Sequence, residues 1–154
     1  MKNPSAFIVR RVEWRDASEA LRAVRKTVFV EEQKVPEELE WDGRDEQCVH
    51  VLAQTLAGEA IGTGRLLPDG HIGRMAVLKG WRGRGVGSAL LRELICAARE
   101  QGHRTIELSA QTHALWFYRR HGFEAHGGEY LDAGIPHRTM RLALKPTRGT
   151  SPRA

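Results

Sequence analysis

Apolar residues fall into two rhythms along this chain. Trp14, Ala17, Leu21, Val24 and Val28 recur at threes and fours, the period of one buried helical face. Val86, Leu90, Leu94 and Ala97 repeat that spacing and predict a second helix over 86–101, with Gly102 as the glycine that closes it. Asp16 or Ser18 is expected to cap the first helix. Elsewhere the period drops to two: Val49, Val51 and Ala53 alternate, as do Met140, Leu142 and Leu144 in the last strand. Ala6 to Val12, Ala60 to Leu67, His71 to Leu78 and 104–110 complete the predicted strands, with turns at Gly58-Glu59 and Asp69-Gly70. The strand over 104–110 is expected to be buried between helices. Residues around Pro36 and Gly43 read as a short helix plus loop, and Thr112 to His121 as a short helix.

Three antiparallel strands therefore precede a helix and then a strand that returns parallel to the third. Such a crossover packs a helix back onto the sheet. The fold class is α/β, a mixed central sheet with helices on both faces. The 154 residues, 41% hydrophobic, suffice for one core, expected as a single domain over 1–146 with a flexible tail over 147–154. No apolar run approaches the roughly 20 residues of a membrane span, and no signal segment opens the chain, so a cytoplasmic protein without membrane partners is expected. Cys48 and Cys96 read as buried free thiols rather than a disulfide or a nucleophile.

Charge changes this picture through its distribution. Residues 31–46 hold eight acids against two basic residues, so they carry −6 of a chain whose net charge is +5, which leaves +11 on the remainder. A basic body suits a polyanionic ligand and an acidic flap suits a cationic one. No basic run is interleaved with aromatics as a stacking platform, which disfavours nucleic acid. His113, His121 and His126 lie near each other but at spacings that share no helical face, and no metal is expected.

The chemistry concentrates between strand 71–78 and the second helix, at Arg82-Gly83-Arg84-Gly85-Val86-Gly87-Ser88. Alternating glycines let a backbone approach an anion closely, while the N–H groups and positive end of the following helix point at it. Arg82 and Arg84 add charge. The loop lacks the Lys-Ser/Thr of a Walker loop and the glycine spacing of a dinucleotide fingerprint. A plain helix entry would show the same glycines.

Arg82-x-x-Gly85-x-Gly87 at a strand-to-helix junction resembles the signature of the GNAT superfamily, acyl-CoA-dependent N-acyltransferases that hold the coenzyme A pyrophosphate there. Leu108 to Gln111 followed by Ala114 to Phe123 is similar to that family's second signature. Val28 to Gln33 and Gly134-Ile135-Pro136-His137 resemble its small ElaA- and YjcF-like members. The resemblance implies a sheet whose two parallel strands splay apart to admit the pantetheine arm. It also implies that Met75, Ala76 and Val77 offer backbone groups to that arm, and that Gln111, Ala114, Phe117 and Tyr118 lie along the coenzyme.

The implied reaction is acetyl transfer from acetyl-CoA to a primary amine of a small molecule or peptide, directly and without a metal. An alkylamine whose ordinary pKa is about 10.4 is roughly three units from neutrality at pH 7, about 4 kcal/mol of barrier unless a base helps. Tyr118 is the candidate acid for the leaving thiolate. Glu31, Glu32, Glu107 and His137 are candidate bases, histidine being the residue type that changes charge near neutral pH. Family members often dimerise, and a short exposed edge admits a homodimer. A non-catalytic acyl-CoA-binding or protein-interaction module on the same scaffold is the alternative.

Overall fold

The computed structural model describes residues 6–145, so the predicted tail lies outside the described residues. Seven strands form one sheet: β1 (Phe7–Val12), β2 (Val49–Thr55), β3 (Ala60–Leu66), β4 (His71–Val77), β5 (Thr105–Gln111), β6 (Glu124–Asp132) and β7 (Ile135–Ala143). Their spatial order is β1-β2-β3-β4-β5-β7-β6, antiparallel except between β4 and β5. Among the described residues four α-helices accompany them: α1 (Trp14–Arg25), α2 (Glu37–Glu40), α3 (Val86–Glu100) and α4 (Leu115–Arg120).

Sheet alternation sorts the buried residues onto two faces. Met75 and Val77 pack with the α3 side of the core, whereas Ala76 joins Val24 and Val28 on the α1 side. Two glycines in β3 let α3 sit close to the sheet. A Cβ at Gly62 would lie 2.9 Å from Leu90 Cδ1, and one at Gly64 2.8 Å from Leu94 Cδ1.

The predicted helices and strands are present, with several corrections. The first helix is not capped by Asp16 or Ser18: its N-cap is Glu13, without a side-chain cap bond. Its periodicity continues to Val28, yet the coil widens into a π-helical stretch over Lys26–Glu32. Strand β2 is covered on both faces, so His50 and Leu52 are as buried as Val51 and Ala53. Strand β5 is not buried between helices, because Ile106, Leu108 and Ala110 face the core while Thr105 and Ser109 face solvent. The thiols are free, but half-buried rather than buried.

The acidic segment is solvated only in part: Glu31, Glu32, Glu37, Glu38 and Glu46 are exposed, while three other acids pair with arginines. Glu40, Asp42 and Asp45 fold onto Arg25, Arg65 and Arg74, with Arg25 Nε on Glu40 at 2.8 Å, Arg25 Nη1 on Asp45 at 2.7 Å and Arg65 Nη1 on Asp45 at 2.9 Å. His50 closes the cluster, its Nε2–H donating to the Asp45 carbonyl at 2.8 Å. Burial pushes the His50 imidazole below its ordinary value. Its contribution to stability is thus present above about pH 6.5, the unfolded value, and lost as pH falls through the folded one. Denaturation midpoints are expected to drop between pH 7 and 5, and less so in His50→Phe. Equal slopes in the two proteins would assign the effect elsewhere.

Candidate functional site

Strands β4 and β5 pair only at His71 with Glu107 and Ile72 with Leu108. Beyond Ile72 they separate, and β5 turns wholly to β7, ending with Gln111 opposite His137. A bulge in β4 begins the separation. Arg74 has φ +51, and its carbonyl accepts a bond from Thr63 Oγ1 at 3.0 Å. Past the bulge, Ala76 and Val77 remain paired to β3, so their other backbone edge faces the opened gap.

The glycine loop lies at the end of β4. Gly83 and Gly85 have φ of +77 and +85, and a Cβ on either would meet nothing within 4 Å. Their requirement for glycine is thus conformational, and the space outside them is open. Gly85 is the N-cap of α3, with no side-chain cap bond, and the first helical bond runs from Ala89 N–H to Gly85 O. The N–H groups of Val86, Gly87 and Ser88 precede that bond and are the natural donors to an anion. This geometry fits a pyrophosphate. Gly87 serves a different need: a Cβ there would come 3.3 Å from Phe117 Cζ, so this glycine seats α4 against α3.

Several side chains expected at the coenzyme are committed elsewhere. Val86 is buried in the core and offers only its backbone. Ser88 Oγ shares a hydrogen bond with His121 Nε2 at 3.0 Å. Arg84 lies over the Trp81 ring, 5.0 Å from its centre. Arg82 does not stand free beside the loop: its terminal nitrogens meet Glu32 at 2.6 and 2.8 Å, and its Nε donates to Val77 O at 2.9 Å.

A cavity of about 480 Å³ opens beside the gap, and Phe29, Gln33, Met75, Gln111, Tyr118 and His137 line it. Ala114 lines it too, whereas Phe117 packs away from it. Tyr118 stands edge-on to Phe117 and Phe123, with ring centres 5.0 and 5.9 Å apart. Burial pushes its phenol up to about 12, so it keeps its proton throughout the neutral range. His137 is buried, and its Nδ1 lies 2.6 Å from the Ile135 carbonyl. A carbonyl only accepts, so Nδ1 carries the hydrogen, and in the neutral ring the lone pair is on Nε2.

The candidate carboxylates separate clearly. Glu31 is exposed and does not line the cavity. Arg82 holds Glu32 below the usual carboxylate range. Glu107 is held down by Arg141 and also by His71, at 2.6 and 2.8 Å. Paired carboxylates of this kind are weak bases at neutral pH. Sequence patterns assign no role to Phe29, Gln33 or Arg74. Gln33 ends the family-like segment Val28 to Gln33, but only tertiary contact shows that its Oε1 accepts from Gln111 Nε2 at 2.8 Å.

Known proteins share this architecture. A family described as an acetyltransferase (GNAT) domain matches residues 16–144. A Bacillus subtilis (strain 168) protein named uncharacterized N-acetyltransferase YjcF is 40% identical over 121 residues, 76% of this chain and 86% of that protein. A crystal structure of an acyl-CoA N-acyltransferase from Pseudomonas aeruginosa is 33% identical with a TM-score of 0.79, covering 90% of this chain and 100% of that one. Escherichia coli ElaA is 27% identical, also with a TM-score of 0.79, covering 89% of this chain and 99% of that one.

Proposed function

Because this chain belongs to the GNAT family of acetyltransferases, we propose that it moves an acetyl group from acetyl-CoA directly to a primary amine of a small molecule or peptide. The observation that carries this reading is the conjunction of an uncapped helix N-terminus, a widening strand gap and a cavity lined by Tyr118 and His137. The coenzyme supplies the activated thioester. The N–H groups of Val86, Gly87 and Ser88 bind its pyrophosphate, and the free edge of Met75, Ala76 and Val77 takes the pantetheine arm.

His137 Nε2 accepts the proton of the attacking amine. As the new C–N bond forms and the C–S bond breaks, Tyr118 gives its proton to the leaving sulfur. The two groups suit these roles for opposite reasons. A fixed tautomer leaves a lone pair on His137, and burial keeps the Tyr118 phenol protonated. No covalent acyl-enzyme is invoked. Cys48 donates to Arg44 O and Cys96 to Glu100, and both thiols sit above the ordinary range, Cys48 through burial and Cys96 through its bond to Glu100.

Calorimetric titration with acetyl-CoA tests the coenzyme site, followed by an amine panel assayed through coenzyme A release. Micromolar binding is expected. Gly85→Ala places a Cβ at φ +85, which costs about 1–2 kcal/mol in the left-handed region. The loop shifts in response, and acetyl-CoA affinity is expected to fall about tenfold. A folded protein that binds no acyl-CoA would overturn the reading. Binding without transfer to any amine would favour the non-catalytic module.

A further inference from the structure

Glu32 and Gln33 are consecutive, yet their side chains reach opposite sides of the strand gap. The backbone folds back on itself here: Gln33 N–H bonds to Val28 O at 3.0 Å and Val35 N–H to Phe29 O at 2.8 Å, with Lys34 at φ +62 between them. Glu32 takes the two-pronged bond from Arg82, whose Nε is itself anchored on Val77 O. Gln33 takes the Gln111 amide, whose own oxygen is bonded to His113 Nε2 at 2.7 Å. Val77 is the last residue of β4 and Gln111 the last of β5. The two contacts therefore end on the tips of the two strands that splay apart.

We infer that Glu32 and Gln33 form a strap across the open end of the β4–β5 gap and thereby position the acyl end of the coenzyme against the acceptor cavity. The inference rests on the coenzyme reading proposed above. Glu32 and Arg82 are each more than a third exposed, and exposed ion pairs contribute little to stability. Fold stability therefore gives little reason for a bidentate clasp between residues 50 positions apart. Spacing of the strand tips gives a reason, since an arm threaded between them samples fewer geometries when the tips are tied. Phe29 and Gln33 also line the cavity, so the strap links the acceptor wall to the coenzyme channel. Glu32 and Arg82 become positioning residues, not a base and a pyrophosphate ligand.

The test compares calorimetric affinities for acetyl-CoA and for 3′-phosphoadenosine 5′-diphosphate, the part of coenzyme A that keeps the pyrophosphate and lacks the pantetheine arm. Glu32→Gln and Gln33→Leu are each expected to weaken acetyl-CoA binding about tenfold, with the fragment's affinity and the melting temperature at wild-type values. Arg82→Lys keeps the charge but loses the fork, and is expected to follow Glu32→Gln. Loss of fragment affinity in step with acetyl-CoA in Arg82→Lys would make Arg82 a phosphate ligand and overturn the strap. Unchanged acetyl-CoA affinity in Glu32→Gln and Gln33→Leu would overturn it as well. A wild-type protein that binds the fragment and acetyl-CoA equally would show that the arm gains nothing from the gap, and that too would overturn the strap. Failure of wild type to bind either ligand is a separate result that overturns the coenzyme reading, and the strap with it.

Discussion

Replacing Tyr118 by phenylalanine is expected to lower turnover about a thousandfold while acetyl-CoA affinity stays at its wild-type value. The phenol packs edge-on between Phe117 and Phe123, and a phenylalanine ring keeps both contacts. Only the proton is lost. Thiolate departure then proceeds without an acid, which slows the chemical step and leaves binding intact. Burial sets the pH behaviour, pushing the folded phenol up to about 12 from the ordinary 10.0. Wild-type turnover should therefore show no loss of the acid between pH 8 and 10. Deprotonation becomes limiting only as pH rises through the folded value. Steady-state kinetics and a melt on the same samples check this, and full activity in the phenylalanine variant would remove Tyr118 from the mechanism.

Arg25→Ala is expected to cost about 3 kcal/mol of folding stability, because it removes the buried cation that two carboxylates share. Arg25 is 1% exposed, bonds Glu40 and Asp45, and lies 5.6 and 5.2 Å from the centres of the Trp14 and Trp41 rings. Removing it leaves Glu40 to Arg74 at 3.0 Å and Asp45 to Arg65 at 2.9 Å, in a cluster that already leaves Arg65 Nε without a hydrogen-bond partner. Its partners give the pH dependence a sign. Arg65 holds Asp42 well below its ordinary value despite burial, and Arg25 does the same for Asp45. Their stabilisation is present above about pH 3.9 and is lost as pH falls through the folded values. Glu40 runs the other way, since burial outweighs its guanidinium partners and pushes it up. Chemical denaturation of both proteins from pH 7 to 3 measures these terms. A loss below about 1 kcal/mol at pH 7 would mean that water replaces the guanidinium.

Helices α1 and α3 were legible from a buried stripe of period 3.6, and strands β1 to β5 from alternation or apolar runs between turn signals, although β2 and β3 are covered on both faces. Strand β6 was not. Apart from half-buried Ala125 its residues are exposed, Gly127 and Gly128 interrupt it, and it is held by backbone pairing to β7. The two-residue turn at Ala133-Gly134, with φ of +53 and +78, closes that hairpin. A strand without a buried stripe writes no pattern into its sequence. The widening over Lys26–Glu32 was equally hidden, since Val24 and Val28 keep helical spacing on either side of its start.

For the candidate site, spacing drew attention to the glycine loop, and the family resemblance to Tyr118, Gln111 and His137, which the fold gathers on one cavity. Partner choice was a different matter. Which carboxylate stays free, which arginine is spent and which imidazole nitrogen holds a lone pair depend on contacts such as Arg82 with Glu32 and Arg25 with Asp45, 50 and 20 residues apart. Local sequence determined the order of elements and the glycine turn before α3, since φ, period and capping are properties of neighbours. Only the tertiary structure decided the charges, because an ion pair forms between whichever groups the folded sheet brings within a few ångströms, whatever their distance along the chain.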